Sequence, residues 1–156
     1  MGVVAARLAE LWLTLPSVAA PVATYVPAVQ TGKYVYTSGQ LPFVAGALAE
    51  AGKVGEGDGL VTPAAAAGHA RTATLNALAA VCALIGDLDK IERIVKVTGY
   101  VASDPSFTGQ PKVINGASDL LGEIFGDVGT HARSAVGVAV LPLNAPVEIE
   151  LLIQLH

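Results

Sequence analysis

The nine residues VEIELLIQL, 147–155, alternate apolar and other side chains almost without a break. A period of two belongs to a β-strand, whose successive side chains leave opposite faces. Val147, Ile149, Leu151 and Ile153 take one face, and Glu148, Glu150, Leu152 and Gln154 take the other. One side of this strand therefore needs a core. The other carries two carboxylates, which either meet solvent or serve a site.

What covers the apolar side can be read further upstream. Thr62 and Pro63 open a helix, threonine as N-cap and proline at the first helical position. It runs through AAAAGHARTATLNALAAVCALI to Gly86, a glycine stop. A second helix is predicted over about 111–125, ending at Gly126. Between and around them lie strand patterns: Tyr25–Gln30 and Tyr34–Ser38 as a hairpin about the turn at 31–33, then 91–102, about 132–141, and 147–155. The glycine-rich stretch after Gln40 reads as loop, with a short strand at most near 52–55. The order α, hairpin, α, β, α, β, β predicts one mixed sheet with two helices on one face.

The N-terminal stretch MGVVAARLAELWLTLP has Leu8, Leu11, Trp12 and Leu15 at helical spacing. It reads as an amphipathic helix docked on the domain and ended by Pro16, with SVAAPVA as a linker. Residues 1–20 thus form a helix and linker ahead of a single domain, 21–156. No basic segment precedes the apolar part, and Arg7 and Glu10 interrupt it, so it does not read as a secretion signal. No charge-free run reaches membrane-spanning length. A cytoplasmic location and no membrane partner are expected.

Of the 156 residues, 53% are hydrophobic and only 14% charged. Such a surface expects a partner copy over the sheet face that the helices leave open. The formal net charge is −4 and the nine basic residues are scattered, which argues against a nucleic-acid partner. One cysteine, Cys82, and three dispersed histidines give no metal-ligand spacing. Cys82 reads as a small core residue, and no metal is expected. GEGDG at 55–59 lacks the strand-then-helix context of a phosphate loop.

Against this sparse background Arg133 stands out. It begins a strand pattern whose continuation, SAVGVAVL, carries no other charge. A guanidinium held on a rigid strand suits two-point capture of a carboxylate; the plain alternative is a rim arginine. If the last two strands formed a hairpin around Leu143–Pro146, Arg133 would lie about 25 Å from Glu148 at ~3.3 Å per residue. The two would meet only through another strand order or across a subunit boundary. Asn115 is unfavourable in mid-helix by propensity. Asp119 and Glu123 read as solvated helix face, and His131 as an exposed loop histidine.

The segments ARSAV…LP…VEIE at the C-terminus, TSGQLP at 37–42 and TYVPAV at 24–29, taken together and in this order, resemble the YjgF/YER057c/UK114 family. It is also called the Rid, or reactive-intermediate deaminase, family, and its older name is endoribonuclease L-PSP or translation inhibitor. The leading helix and KVINGASDLL set the chain apart from the best-known RidA group. The resemblance implies an α+β, chorismate-mutase-like fold with a mixed six-stranded sheet, and a homotrimer with ligand clefts between subunits. It implies that Arg133 binds the carboxylate of a 2-imino or 2-amino-enoic acid and that Glu148 positions or activates water. Tyr25, Ser38 and Asn115 would shape or polarise the pocket. On residues alone, a tyrosine at a strand start such as Tyr25 is more often core or rim packing, and Ser38 is turn chemistry; only the resemblance gives Tyr25 a place in the pocket. Ala135 stands where many members carry cysteine, so no reactive thiol is expected there. The implied reaction is hydrolytic deamination of enamine or imine acids to 2-oxo acids and ammonia, of the 2-iminobutanoate/2-iminopropanoate deaminase kind, with no cofactor. Two rival readings are a non-catalytic trimer that binds a carboxylate metabolite, and a ribonuclease or translation inhibitor. The acidic balance argues against the last.

Overall fold

The computed structural model describes residues 1–18 and 24–156. Part of the expected linker, 19–23, lies outside the described residues. The elements are α1 (Val3–Glu10), β1 (Ala28–Thr31), β2 (Tyr34–Thr37), β3 (Phe43–Val44), β4 (Ala47–Leu48), α2 (Pro63–Ile85), β5 (Ile91–Ala102), α3 (Gln110–Phe125), β6 (Ala132–Val138) and β7 (Val147–Leu155). The main sheet has the order β1-β2-β7-β5-β6, and β3 and β4 form a separate small hairpin. Among the described residues this sheet has five strands, where six were expected.

The last two strands do not pair with each other. β5 lies between them, antiparallel to β7 and parallel to β6. The parallel pair is joined through α3, as a crossover requires. Tyr25 precedes β1 in a bend rather than starting the strand. In the stretch expected to be loop, β3 and β4 turn through Ala45 and Gly46, both at positive φ. Val54 makes single bridges to Val61 and Ser103.

β7 buries Val147, Ile149, Leu151, Ile153 and Leu155 beneath the helices. α2 begins at Thr62, whose side chain accepts from Ala65 N, and ends at Gly86 in the left-handed region. Its buried Ala66, Ala70, Ala73, Ala77 and Ala80 recur at helical spacing. Small side chains let the layers come close. A Cβ at Gly116 in α3 would lie 2.0 Å from the Ala67 carbonyl oxygen of α2, and one at Gly99 in β5 would lie 2.4 Å from Ile114 Cδ1. A side chain at Gly116 would push α3 away from the backbone of α2, and one at Gly99 would displace the Ile114 side chain. Leu78, Ile94, Ile114, Leu120 and Leu121 are fully buried in the resulting core. Truncating any one to alanine costs about 2–5 kcal/mol.

α1 is capped from a distance. Its N-cap residue, Gly2, has no side chain to offer. Asp89 takes that place, accepting from Val3 N at 2.8 Å and Val4 N at 2.7 Å. At the other end of α1, Arg7 Nε donates to the Glu123 carbonyl of α3 at 2.8 Å. Val4 and Leu8 enter the common core. Trp12 does not: the helix ends at Glu10, Trp12 has φ +57°, and its side chain is 94% exposed. Glu123 is not merely solvated either, since its carboxylate pairs with Arg71 of α2 at 3.0 Å.

The sheet face opposite the helices has no covering layer among the described residues. Val29, Tyr36 and Val136 lie on it, 41–51% exposed. Glu148, Glu150, Thr98 and Tyr100 share this face. Among the described residues no helix is long and apolar enough to cross a membrane.

Candidate functional site

The expected residues fall into two groups, on opposite faces of one sheet. The first is built where β2 parts from β7. Their pairing runs from Tyr34↔Gln154 to Tyr36↔Leu152. Thr37 then takes the Leu151 N–H with its Oγ1 at 2.9 Å. Backbone pairing resumes at Gln40 and Ile149, with bonds of 2.8 and 3.0 Å. The intervening Ser38 and Gly39 arch over β7. An added Cβ on Gly39 would lie 2.1 Å from Glu148 Oε1, so the arch sits directly on the carboxylate. The Ser38 hydroxyl donates to the Val26 carbonyl at 2.6 Å, and Ser38 N donates to the Pro27 carbonyl at 2.8 Å. Ser38 thereby fixes the backbone beside Tyr25, whose ring is 55% exposed. Each residue of TSGQ has its own task in this arrangement.

Glu148 is half-buried under this arch, and among the described residues no donor reaches its carboxylate. Burial, and then the nearby charge of Glu150, hold Glu148 above the usual carboxylate range. Glu150 is engaged instead with the Tyr100 hydroxyl, which donates to its Oε1 at 2.9 Å. That bond, with burial and the two carboxylates, raises Tyr100 and keeps it a proton donor. The two glutamates of VEIE therefore differ. One is tied to a tyrosine, and the other is desolvated and open.

The second group lies at the sheet edge. β6 is the edge strand, and Arg133 pairs with Val97, a fully buried residue on the helix face. Arg133 thus points toward α3. Its Nη1 donates to Asn115 Oδ1 at 2.8 Å and to Ser118 Oγ at 3.2 Å. Asn115 and Ser118 stand three residues apart on one side of α3. Ser118 Oγ also meets His131 Nε2 at 2.8 Å, and His131 Nδ1 meets the Gly129 carbonyl at 2.6 Å. His131 is therefore a partly buried, doubly bonded residue rather than an exposed loop histidine. Ala135, on the same face as Arg133, packs against the core.

Arg133 and Glu148 do not meet within one chain. Their Cα atoms are two strand spacings and three residues apart, about 14 Å, and they project to opposite faces. The strand order differs from a hairpin, yet the gap stays open. A groove of about 560 Å³ lies elsewhere, among Glu56, Phe107, Lys112 and their neighbours, and includes neither residue. Among the described residues no group of three His, Cys, Asp or Glu side chains comes together to hold a metal.

Sequence reasoning missed Gly39, Ser118 and His131. The spacing of Asn115 and Ser118 was the available signal. The contact of Gly39 with Glu148 needed the strand pairing.

A mixed sheet backed by two long helices, with an arginine on its edge strand and a half-buried glutamate on its uncovered face, defines an α+β domain of the chorismate-mutase-like class. The chain belongs to the YjgF family: the family model described as "YjgF/chorismate mutase-like, putative endoribonuclease" matches residues 5–155, which takes in most of α1. The chain is 46% identical over 158 aligned residues to "Protein TCP17" of Trypanosoma cruzi, covering 99% of this chain and 96% of that one. Among solved structures it resembles Atu1372 of Agrobacterium tumefaciens, a protein of unknown function, with a TM-score of 0.89 and 46% identity over 99% of this chain and 93% of that one. It also resembles RidA of the Antarctic bacterium Psychrobacter sp. PAMC 21119, with a TM-score of 0.60 and 28% identity over 91% and 96%.

Proposed function

We propose that the protein hydrolyses reactive enamine and 2-imino acids to 2-oxo acids and ammonia, in clefts formed between copies of the chain in a homotrimer. The observation that carries this reading is the state of Arg133. Its guanidinium is anchored to α3 through Nη1 alone, at 2.8 and 3.2 Å. Among the described residues no acceptor occupies Nε or Nη2. Those two N–H groups form the side-on edge that a carboxylate bridges with two parallel bonds.

The chemistry assigned to the other group is water delivery. With the substrate carboxylate on Arg133, C2 of the imine must face a Glu148 carboxylate. The separation within one chain leaves that role to Glu148 of a neighbouring copy, seated through the uncovered sheet face. Glu148 takes a proton from water as its oxygen bonds to C2. It passes that proton to the nitrogen, then takes the proton of the new C2 hydroxyl and delivers it to the same nitrogen as the C–N bond breaks and the C2–oxygen double bond forms. An imino acid and one water thus become a 2-oxo acid and ammonia, with no electron donor or acceptor needed. A glutamate held above the usual carboxylate range is better matched to carry a proton both ways near neutrality. Fixing the substrate by its carboxylate supplies orientation, the main aid for so electrophilic a carbon.

An amino-acid oxidase generating 2-imino acids in situ, with semicarbazide trapping the survivors, tests the reading. Less trapped imine with wild type, and no such loss with Arg133→Ala, is the expected result. No effect from a folded protein on any of several amino acids would sink it. The rival reading of a carboxylate binder would then be favoured, since the Arg133 group is complete without Glu148. Retention of a 2-oxo acid in calorimetry would identify it.

A further inference from the structure

We propose that His131 and Ser118 are positioning residues for Arg133, joined in a one-way chain of hydrogen bonds that turns the guanidinium's side-on edge toward an incoming carboxylate. This rests on the reading of Arg133 as the carboxylate clamp.

The direction of the chain follows from its last member. The Gly129 carbonyl has no proton to give, so its 2.6 Å contact with His131 requires a proton on Nδ1. In the neutral ring Nε2 then carries the lone pair. Its 2.8 Å contact with Ser118 is a bond donated by the serine hydroxyl. With its proton committed to His131, Ser118 Oγ faces Arg133 as an acceptor, which the 3.2 Å contact with Nη1 uses. The second Nη1 proton goes to Asn115 Oδ1 at 2.8 Å. Both protons of Nη1 are thus consumed, and the Nε–Nη2 edge is the one left for a ligand.

The anchor is rigid. Gly129 is buried, and a Cβ there would lie 2.3 Å from the Leu121 carbonyl oxygen. The short helical turn Gly126–Gly129 is therefore wedged against the backbone of α3, the same helix that carries Asn115 and Ser118. The carbonyl that selects the histidine tautomer and the two acceptors of Nη1 are referenced to one body. A serine left without His131 would be free to turn its proton back to the carbonyl four residues earlier, as helical serines do. The guanidinium would lose a fixed acceptor and sample other rotamers.

The test compares binding of pyruvate and of its uncharged amide by calorimetry. Ser118→Thr keeps the hydroxyl and Ser118→Val replaces it at equal volume. Loss of one such hydrogen bond is expected to weaken pyruvate about three- to tenfold in Ser118→Val and His131→Phe. The amide and the Ser118→Thr protein should be little changed. The double variant Ser118→Val/His131→Phe should be no worse than either single one, because both break the same chain. Pyruvate binding lost in Arg133→Ala but unchanged in Ser118→Val and His131→Phe overturns the chain and leaves the clamp. Binding that survives Arg133→Ala, or is absent from the wild type, overturns the clamp and the chain with it.

Discussion

Arg133 and Glu148 leave one sheet by opposite faces, with β5 between their strands. If each cleft takes its arginine from one copy and its glutamate from the next, two inactive variants should repair each other. Subunits carrying Arg133→Ala and subunits carrying Glu148→Ala, unfolded together and refolded in equal amounts, would give one intact cleft in about four. The expected activity is about a quarter of wild type in the imine-trapping assay, from parents with almost none. A site built within one chain gives no recovery.

Gly39 touches no substrate in this account, yet its alanine variant should be nearly inactive. The new methyl group would fall 2.1 Å from Glu148 Oε1, so the carboxylate must swing aside. Misplacing a reacting group by about 1 Å can cost on the order of a hundredfold in rate. A loss of that size in kcat, with a melting temperature close to wild type, is the expected result. Full activity in Gly39→Ala would remove Glu148 from the reaction.

Glu148→Gln should be inactive and more stable. Burial and Glu150 raise the Glu148 pKa in the folded chain. The folded state therefore binds this proton more tightly than the unfolded state does. Its contribution to stability is greatest at acidic pH and is lost as pH rises through the folded value. Glutamine keeps the shape without the charge. Its melting temperature should exceed that of wild type at pH 7–8, and the gap should close as pH falls below the usual carboxylate range. Activity should drop by about a hundred- to ten-thousandfold. A lower melting temperature for Glu148→Gln at neutral pH would contradict the assigned burial.

Asp89→Ala tests the borrowed cap of α1. The variant leaves the N–H groups of Val3 and Val4 without their 2.8 and 2.7 Å partners. Loss of an N-cap costs about 1 kcal/mol, which for a domain of this size lowers the melting temperature by roughly 2–4 °C. Amide exchange should quicken at residues 6–10 while β7 remains protected. Unchanged exchange in α1 would show that the packing of Val4 and Leu8 suffices.

Local signals were the legible ones. Thr62-Pro63 and Gly86 marked both ends of α2, and the alternation of VEIELLIQL fixed the bounds of β7. Strand order was not legible, because alternation says which face a residue takes and nothing about its neighbour. Whether β6 and β7 pair directly or take β5 between them, as they do, was therefore left open. Trp12 fitted the helical spacing of α1 but lies past its end, where the chain turns through positive φ. Arg133 and Asn115 could be singled out as candidates, but their bond could not, since it depends on α3 crossing above the edge strand. Ser118 and His131 were hidden for the same reason. Hydroxyls and imidazoles acquire meaning from partners that sequence spacing does not reveal.

Gly116 stands next to Asn115 and faces the backbone of Ala67 on α2. It touches neither Arg133 nor Glu148, but the height of α3 above β6 is set by how closely two backbones meet there. A single methyl group at this point would lift Asn115 and Ser118 together and carry the guanidinium out of register with its ligand. Inherited variation at Gly116 would thus register as a binding defect with every ligand-contacting residue intact, a lesion that inspection of the cleft alone would overlook.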